Sequence, residues 1–180
     1  MQTPRHIAVI RFSAMGDVAM AVPVIKGLLQ QYPHIHICFV SNAFFAPLFK
    51  NIERCNFFPV YTKGIHKGLA GIWKLYRELR KHQHFDAVAD IHNVLRSKLL
   101  RNFFWLSGIP NAVIYKGRHE KKQLTARKNK QFKQLPASHE RYAAVFASLG
   151  LPLNLSNNYL IAGKEQIPGK VALYIQPHKK

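Results

Sequence analysis

Five short apolar runs alternate with stretches of helical periodicity, and this alternation restricts the chain to one class of fold. The runs are Ile7–Phe12, Ile35–Val40, Phe57–Tyr61, Phe85–Ile91 and Ala112–Tyr115. Near-continuous apolar character is what a strand needs when both faces of its sheet are covered. Between the runs, Val18, Val22, Ile25 and Leu29 recur at helical spacing. Leu69, Ile72, Trp73, Tyr76 and Leu79 do the same and read as one buried stripe, with Lys67, Lys74, Arg77, Arg80 and Lys81 on its solvated side. A third helix is predicted from near Asn93 to Leu106, and a fourth from Ser138 to Leu149, closed by Gly150. Strands separated by helices of this length form right-handed βαβ crossovers. The predicted fold class is therefore α/β, a parallel sheet flanked by helices. Pro23 leaves two alternatives for the first helix: a kink there, or a regular part that begins there.

The 180 residues suffice for one domain and the start of another. Residues 116–136 hold eight Lys or Arg and one Glu, and read as an exposed basic loop. A polar, Asn-rich connector follows Gly150, and Pro168-Gly169 precedes a fresh strand-like run, 170–175. The expected organisation is a domain over 1–150, a linker over 151–169, and over 170–180 the first strand of a truncated second domain.

Charge narrows the partners. Lys and Arg number 27 against 8 acidic residues, a formal net charge of +19. Such a field attracts phosphate, nucleic acid or an anionic membrane surface. No run approaches the roughly 20 apolar residues of a membrane span, and Arg11 and Asp17 interrupt the only run placed like a signal peptide. Of two cysteines, Cys38 lies in an apolar run and reads as a buried free thiol, and so few cysteines fit a reducing, cytosolic setting.

Two turns carry the candidate chemistry. In I-A-V-I-R-F-S-A-M-G-D-V-A-M-A-V-P (7–23), a strand feeds a turn at Ser13 to Asp17 and then a helix. Ligands of open α/β sheets bind beside such turns, at the carboxyl ends of the strands. Asp17 reads either as a helix N-cap or as a general base. Ser13 and Gly16 either build the turn, with Gly16 supplying an unusual backbone angle, or bring backbone N–H groups to an anion. In D-I-H-N-V-L-R-S (90–97), Asp90 is expected to brace the loop, and His92 has no partners at metal-ligand spacing. Arg96 is anomalous, because a helix start favours anions, and it invites an acidic ligand group. Neither G-x-G-x-x-G nor a Walker loop is present.

Together these motifs resemble those of the ADP-heptose:lipopolysaccharide heptosyltransferase family, glycosyltransferase family 9. Segment 7–23 resembles the family's opening signature, 90–97 its second motif, and E-R-Y-A-A-V-F-A-S-L-G-L (140–151) the helix before its interdomain linker. The resemblance implies the N-terminal half of a GT-B architecture, whose Rossmann-like domain binds the acceptor. It implies an inverting transfer with no required metal or cofactor, from an ADP-heptose-type donor held by a second domain. It makes Asp17 the base that takes the acceptor hydroxyl's proton. It places Ser13, Gly16, His92, Arg96, Lys116 and Arg118 as acceptor-binding residues, suited to the carboxylates and phosphates of a lipopolysaccharide core or related anionic glycolipid. Peripheral contact with the cytoplasmic face of the inner membrane follows from such an acceptor. Met20 and Ala21 stand where some members carry polar residues facing the acceptor, and Asn93 where many carry glycine. The chain alone is expected not to turn over, since nothing in it matches the family's nucleotide-binding residues. The alternative is a basic α/β module that binds nucleic acid through 116–136. No RNP-like, KH or helix-turn-helix pattern accompanies it, which makes nucleic acid the weaker reading.

Overall fold

The computed structural model describes residues 3–117 and 135–155. Strands β1 (His6–Ile10), β2 (His36–Asn42), β3 (Cys55–Val60), β4 (Ala87–Asp90) and β5 (Asn111–Val113) form one sheet. Its order is β3-β2-β1-β4-β5, and every pair is parallel. Helix α1 (Met15–Gln31) joins β1 to β2, and α2 (Gly68–His82) carries the chain from β3 back across to β4. Helix α3 (Leu95–Leu106) links β4 to β5, and α4 (Ser138–Ala147) follows. This is the Rossmann-like α/β arrangement. The order reverses between β1 and β4, where such sheets open a crevice.

Alternation along β1 divides the core. Ile7 and Val9 pack with Val18, Ile25 and Leu28 of α1 and Tyr142 and Phe146 of α4. Ala8 and Ile10 face the other way, onto Ile72, Leu75 and Leu79 of α2 and Leu100 and Phe104 of α3. Strands buried on both faces explain why their sequences read as apolar runs. Both thiols lie inside: Cys38 and Cys55 are free, and burial pushes each up to about 12. They are therefore protonated and inert at neutral pH.

Several expectations change. Helix α1 is one helix with Pro23 inside it, so it does not begin at the proline. Helix α3 starts at Leu95 rather than near Asn93, because Asn93 has a φ of 50° and cannot continue a right-handed turn. The buried residues of α2 are Gly71, Ile72, Leu75 and Leu79. Leu69 and Trp73 are 68% and 48% exposed, so they lie outside the core stripe that their spacing suggested. Gly71 is required by close approach: a Cβ there would sit 2.3 Å from the His66 carbonyl carbon. A 3-10 segment, Ala43–Phe49, follows β2 without a periodic signal in the sequence; its Phe45 and Phe49 fill the core beside β2. The strand-like run 170–175, most of the connector and most of the basic segment lie outside the described residues.

Candidate active site

The site stands outside the carboxyl ends of β1 and β4. Arg11 continues the ladder past β1, its N–H donating to the Val40 carbonyl at 3.1 Å. Its side chain then turns inward and is only 7% exposed. One guanidinium nitrogen donates to the Ile91 carbonyl, beyond β4, and the other pairs with Asp17 Oδ2. The guanidinium lies 5.5 Å from the centre of the Tyr142 ring, within cation–π range. The Tyr142 hydroxyl donates to the Asp17 carbonyl at 3.2 Å. One buried cation thus ties together β1, β4, the first turn of α1 and α4. The sequence did hold a signal for it: an arginine inside an apolar run demands a buried partner.

Asp17 is not a helix cap. The N-cap of α1 is Ala14, with no side-chain cap bond, and Asp17 sits in the first turn beyond it. Its carboxylate is half-exposed, and Oδ1 has no hydrogen-bond partner among the described residues. A carboxylate oriented through one oxygen and open through the other is suited to accept a proton. It faces a pocket of about 310 Å³ lined by Arg11, Asp17, Ile114, Lys116, Ser138, Arg141 and Tyr142. Three cations against one carboxylate give the pocket an excess of positive charge. A larger cavity, about 680 Å³, lies between β5 and α4 and shares Arg141 but not Asp17.

The second motif supports the first. Asp90 is fully buried. Its Oδ1 accepts from the backbone N–H groups of His92 and Asn93, at 3.0 and 2.7 Å, and its Oδ2 from Arg101 at 3.2 Å. These bonds hold the loop in a tight reversal with Asn93 in the left-handed region, a conformation that glycine also meets. The Asn93 amide donates to the Ile114 carbonyl at 3.1 Å, so this loop also fixes the chain just before Lys116.

His92 is buried beside Arg11, and its Nδ1 accepts from the Phe12 N–H at 3.3 Å. Burial, and then the positive charges of Arg11 and Lys116, push its imidazole down to about 4. It is therefore neutral at neutral pH, with Nε2 carrying the proton. An unfolded histidine titrates near 6.5, so on acidification the unfolded chain binds this proton first. The contribution to stability is full above about pH 6.5 and is lost as pH falls towards 4. A shift of this size corresponds to about 3 kcal/mol. Denaturation midpoints measured between these pH values should fall steeply for the wild-type chain, and His92→Gln should flatten that fall.

The other expected site residues divide. Lys116 lines the Asp17 pocket, and its carbonyl accepts from Arg141 at 3.2 Å. Ser13 is exposed in the turn and Gly16 in the first turn of α1, where a Cβ would meet nothing within 4 Å. Gly16 has no positive φ, so it supplies open space beside Asp17 rather than an unusual angle. Arg96 is exposed in the first turn of α3 and is not among the residues lining the pocket. Ala21 is buried in the core, whereas Met20 is exposed. Arg118 lies outside the described residues. Among the described residues, no group of His, Cys, Asp and Glu is placed to hold a metal ion.

No family model matches the chain. Lipopolysaccharide core heptosyltransferase OpsX of Haemophilus influenzae is 25% identical over 99 residues, which are 55% of this chain and 27% of that protein. The chain is thus similar to a heptosyltransferase over about half of its own length. Solved glycosyltransferase structures show the same fold. A glycosyl transferase family 9 protein of Veillonella parvula matches with a TM-score of 0.61 and 18% identity, over 84% of this chain and 45% of that one. E. coli heptosyltransferase WaaC, solved with ADP, matches with a TM-score of 0.57 and 19% identity, over 88% and 53%. The chain thus spans about half the length of these heptosyltransferase-fold structures.

Proposed function

We propose that this chain is the acceptor-binding half of a glycosyltransferase that moves a heptose-type sugar from a nucleotide donor to a lipopolysaccharide core. The observation that carries the reading is Asp17: a carboxylate oriented by buried Arg11 and open on its other oxygen to a cationic pocket at the strand-order reversal. An acceptor hydroxyl donates its proton to Asp17 Oδ1 as its oxygen attacks the anomeric carbon. The bond from that carbon to the nucleotide phosphate breaks, the phosphate leaves with the electron pair, and the configuration inverts. Positioning supplies much of the rate in such a step, so transfer needs the donor held against this wall by a second half of the GT-B cleft. WaaC, solved with ADP, supports a nucleotide sugar as that donor.

Lys116 and Arg141 receive the acceptor's carboxylates or phosphates. His92 stiffens the loop behind them as a neutral acceptor for the Phe12 N–H, and Ser13, Arg96 and Arg118 extend the contact along the rim. Residues 1–150 form the acceptor domain, 151–169 the linker, and 170–180 the first strand of the donor half. The acceptor is a lipid, so the protein works at the cytoplasmic face of the inner membrane. Among the described residues no helix is long and apolar enough to cross a membrane. In a form of the protein that carries a donor half, Arg141→Ala should raise the acceptor KM roughly tenfold, the worth of one charge-assisted hydrogen bond. It should leave kcat within about twofold, because the contact is made equally in ground and transition states. An unchanged KM would remove Arg141 from the acceptor site.

A further inference from the structure

Alternate residues at the end of β5 and beyond it line two different spaces. Ile114 and Lys116 line the Asp17 pocket, whereas Val113 and Tyr115 line the larger cavity of about 680 Å³ between β5 and α4. Helix α4 and its C-cap divide in the same way. Ser138 and Tyr142 belong to the Asp17 pocket. Glu140, Ala144 and Ser148, spaced four apart and so on one helical face, belong to the cavity. Arg141 lines both. Ligand groups in the two spaces are therefore neighbours across one guanidinium, which also donates to the Lys116 carbonyl at 3.2 Å.

The two spaces differ in charge. The Asp17 pocket sets three cations against one carboxylate. The cavity sets only the shared Arg141 against Glu140, which balances it in a chain of net charge +19. Its polar groups suit hydroxyls. Glu140 Oε2 accepts from the Ala137 N–H at 2.6 Å, which fixes the carboxylate, and Oε1 has no hydrogen-bond partner among the described residues. The Ser148 hydroxyl donates to the Ala144 carbonyl at 3.0 Å, so its oxygen is left to accept. Tyr115, 68% exposed, contributes an aromatic ring, and Val113 and Ala144 contribute apolar surface. An acyl chain here would cover Glu140 and Arg141 without giving them partners, which is costly. An anionic group would meet the Glu140 carboxylate. A neutral pyranose satisfies every part of the lining: its C–H face packs on the ring and the apolar wall, and its hydroxyls bridge carboxylate and guanidinium.

We propose that the cavity between β5 and α4 holds a neutral sugar unit of the acceptor, next to the anionic unit in the Asp17 pocket, with Tyr115 and Glu140 selecting it. The proposal rests on the transfer reading and deepens it. The acceptor then presents at least one charged and one uncharged unit side by side, and Arg141 stands at their junction. Once the charged unit is seated, the second contact is intramolecular and adds to affinity.

The test uses one phosphorylated core fragment in two forms, intact and trimmed of its neutral sugars, each titrated into the 180-residue chain. The intact form should bind roughly tenfold more tightly, the worth of one charge-assisted hydrogen bond. In nuclear magnetic resonance spectra both forms should shift Lys116 and Arg141, and only the intact form should shift Ala144 and Ser148. Ala144 is exposed, so Ala144→Trp fills the cavity without entering the core. It should bring the intact fragment down to the affinity of the trimmed one, while trimmed-fragment affinity and melting temperature stay unchanged. Glu140→Gln keeps an acceptor for the Ala137 N–H and should cost severalfold on the intact form alone. Equal wild-type affinity for the two forms would overturn the proposal and leave the transfer reading standing. So would Ala144→Trp that binds the intact form like wild type, or that weakens both forms alike. A wild-type chain that binds neither form would remove both the subsite and the transfer reading.

Discussion

Asp17→Asn should lower kcat by roughly 10²–10⁴ while the acceptor KM stays near wild type. Asparagine matches aspartate in shape, and its carbonyl oxygen can still accept from Arg11. What it loses is the ability to take a proton. The reaction needs that ability only in the transition state, so the loss falls on kcat. The fold should survive, because Asp17 is half-exposed and Arg11 keeps its bond to the Ile91 carbonyl and its place over Tyr142. A partly exposed ion pair is worth about 1 kcal/mol or less. The measurement is steady-state transfer in a form of the protein that carries a donor half, with melting temperatures in parallel. Turnover within a few-fold of wild type would make Asp17 a structural partner of Arg11 and nothing more.

The largest effect on stability is expected from Asp90→Ala, about 3–5 kcal/mol. Asp90 is fully buried and satisfies two backbone N–H groups and Arg101, which is itself only 16% exposed. Removing it leaves a buried guanidinium without its counter-charge and two donors without acceptors, and each such loss is costly. Asp90→Asn keeps one acceptor oxygen but turns an amide towards Arg101 or the loop, so it should cost less than alanine and more than a surface change. Denaturant unfolding of the 180-residue chain checks this, with a fall in midpoint at constant slope. A cost under about 1 kcal/mol would mean that the loop is held by something other than Asp90.

The strands were legible because a sheet covered on both faces needs apolar residues at nearly every position. The rim was legible because turns after such strands are where chemistry collects. Asp90 followed from the same logic, since a carboxylate ending a buried strand has to bond to something. Arg11 was not identified. Its partners, Ile91 and Tyr142, are far away in sequence, and only the closed sheet brings them to it. The buried stripe of α2 is narrower than its periodicity suggests, for a related reason. Periodicity shows where apolar residues recur, but it cannot show that α3 covers only part of that arc and leaves Leu69 and Trp73 outside. Asp17 as a cap failed because the helix begins three residues earlier than that role requires. Arg96 and Lys116 look alike in the sequence, as basic residues just beyond strands. Only Lys116 follows β5 into the pocket, because the Asn93 and Arg141 bonds hold the chain there.

The central claim is that the pocket of Asp17, Lys116 and Arg141 receives a lipopolysaccharide core hydroxyl. Titrating the isotopically labelled 180-residue chain with a soluble, phosphorylated core fragment tests this most directly, because nuclear magnetic resonance reads both the affinity and the residues that respond. Saturable shifts at Asp17, Lys116, Arg141 and Tyr142, undiminished by competing RNA, are the predicted result. Absence of binding, or shifts confined to residues outside this pocket, would contradict it.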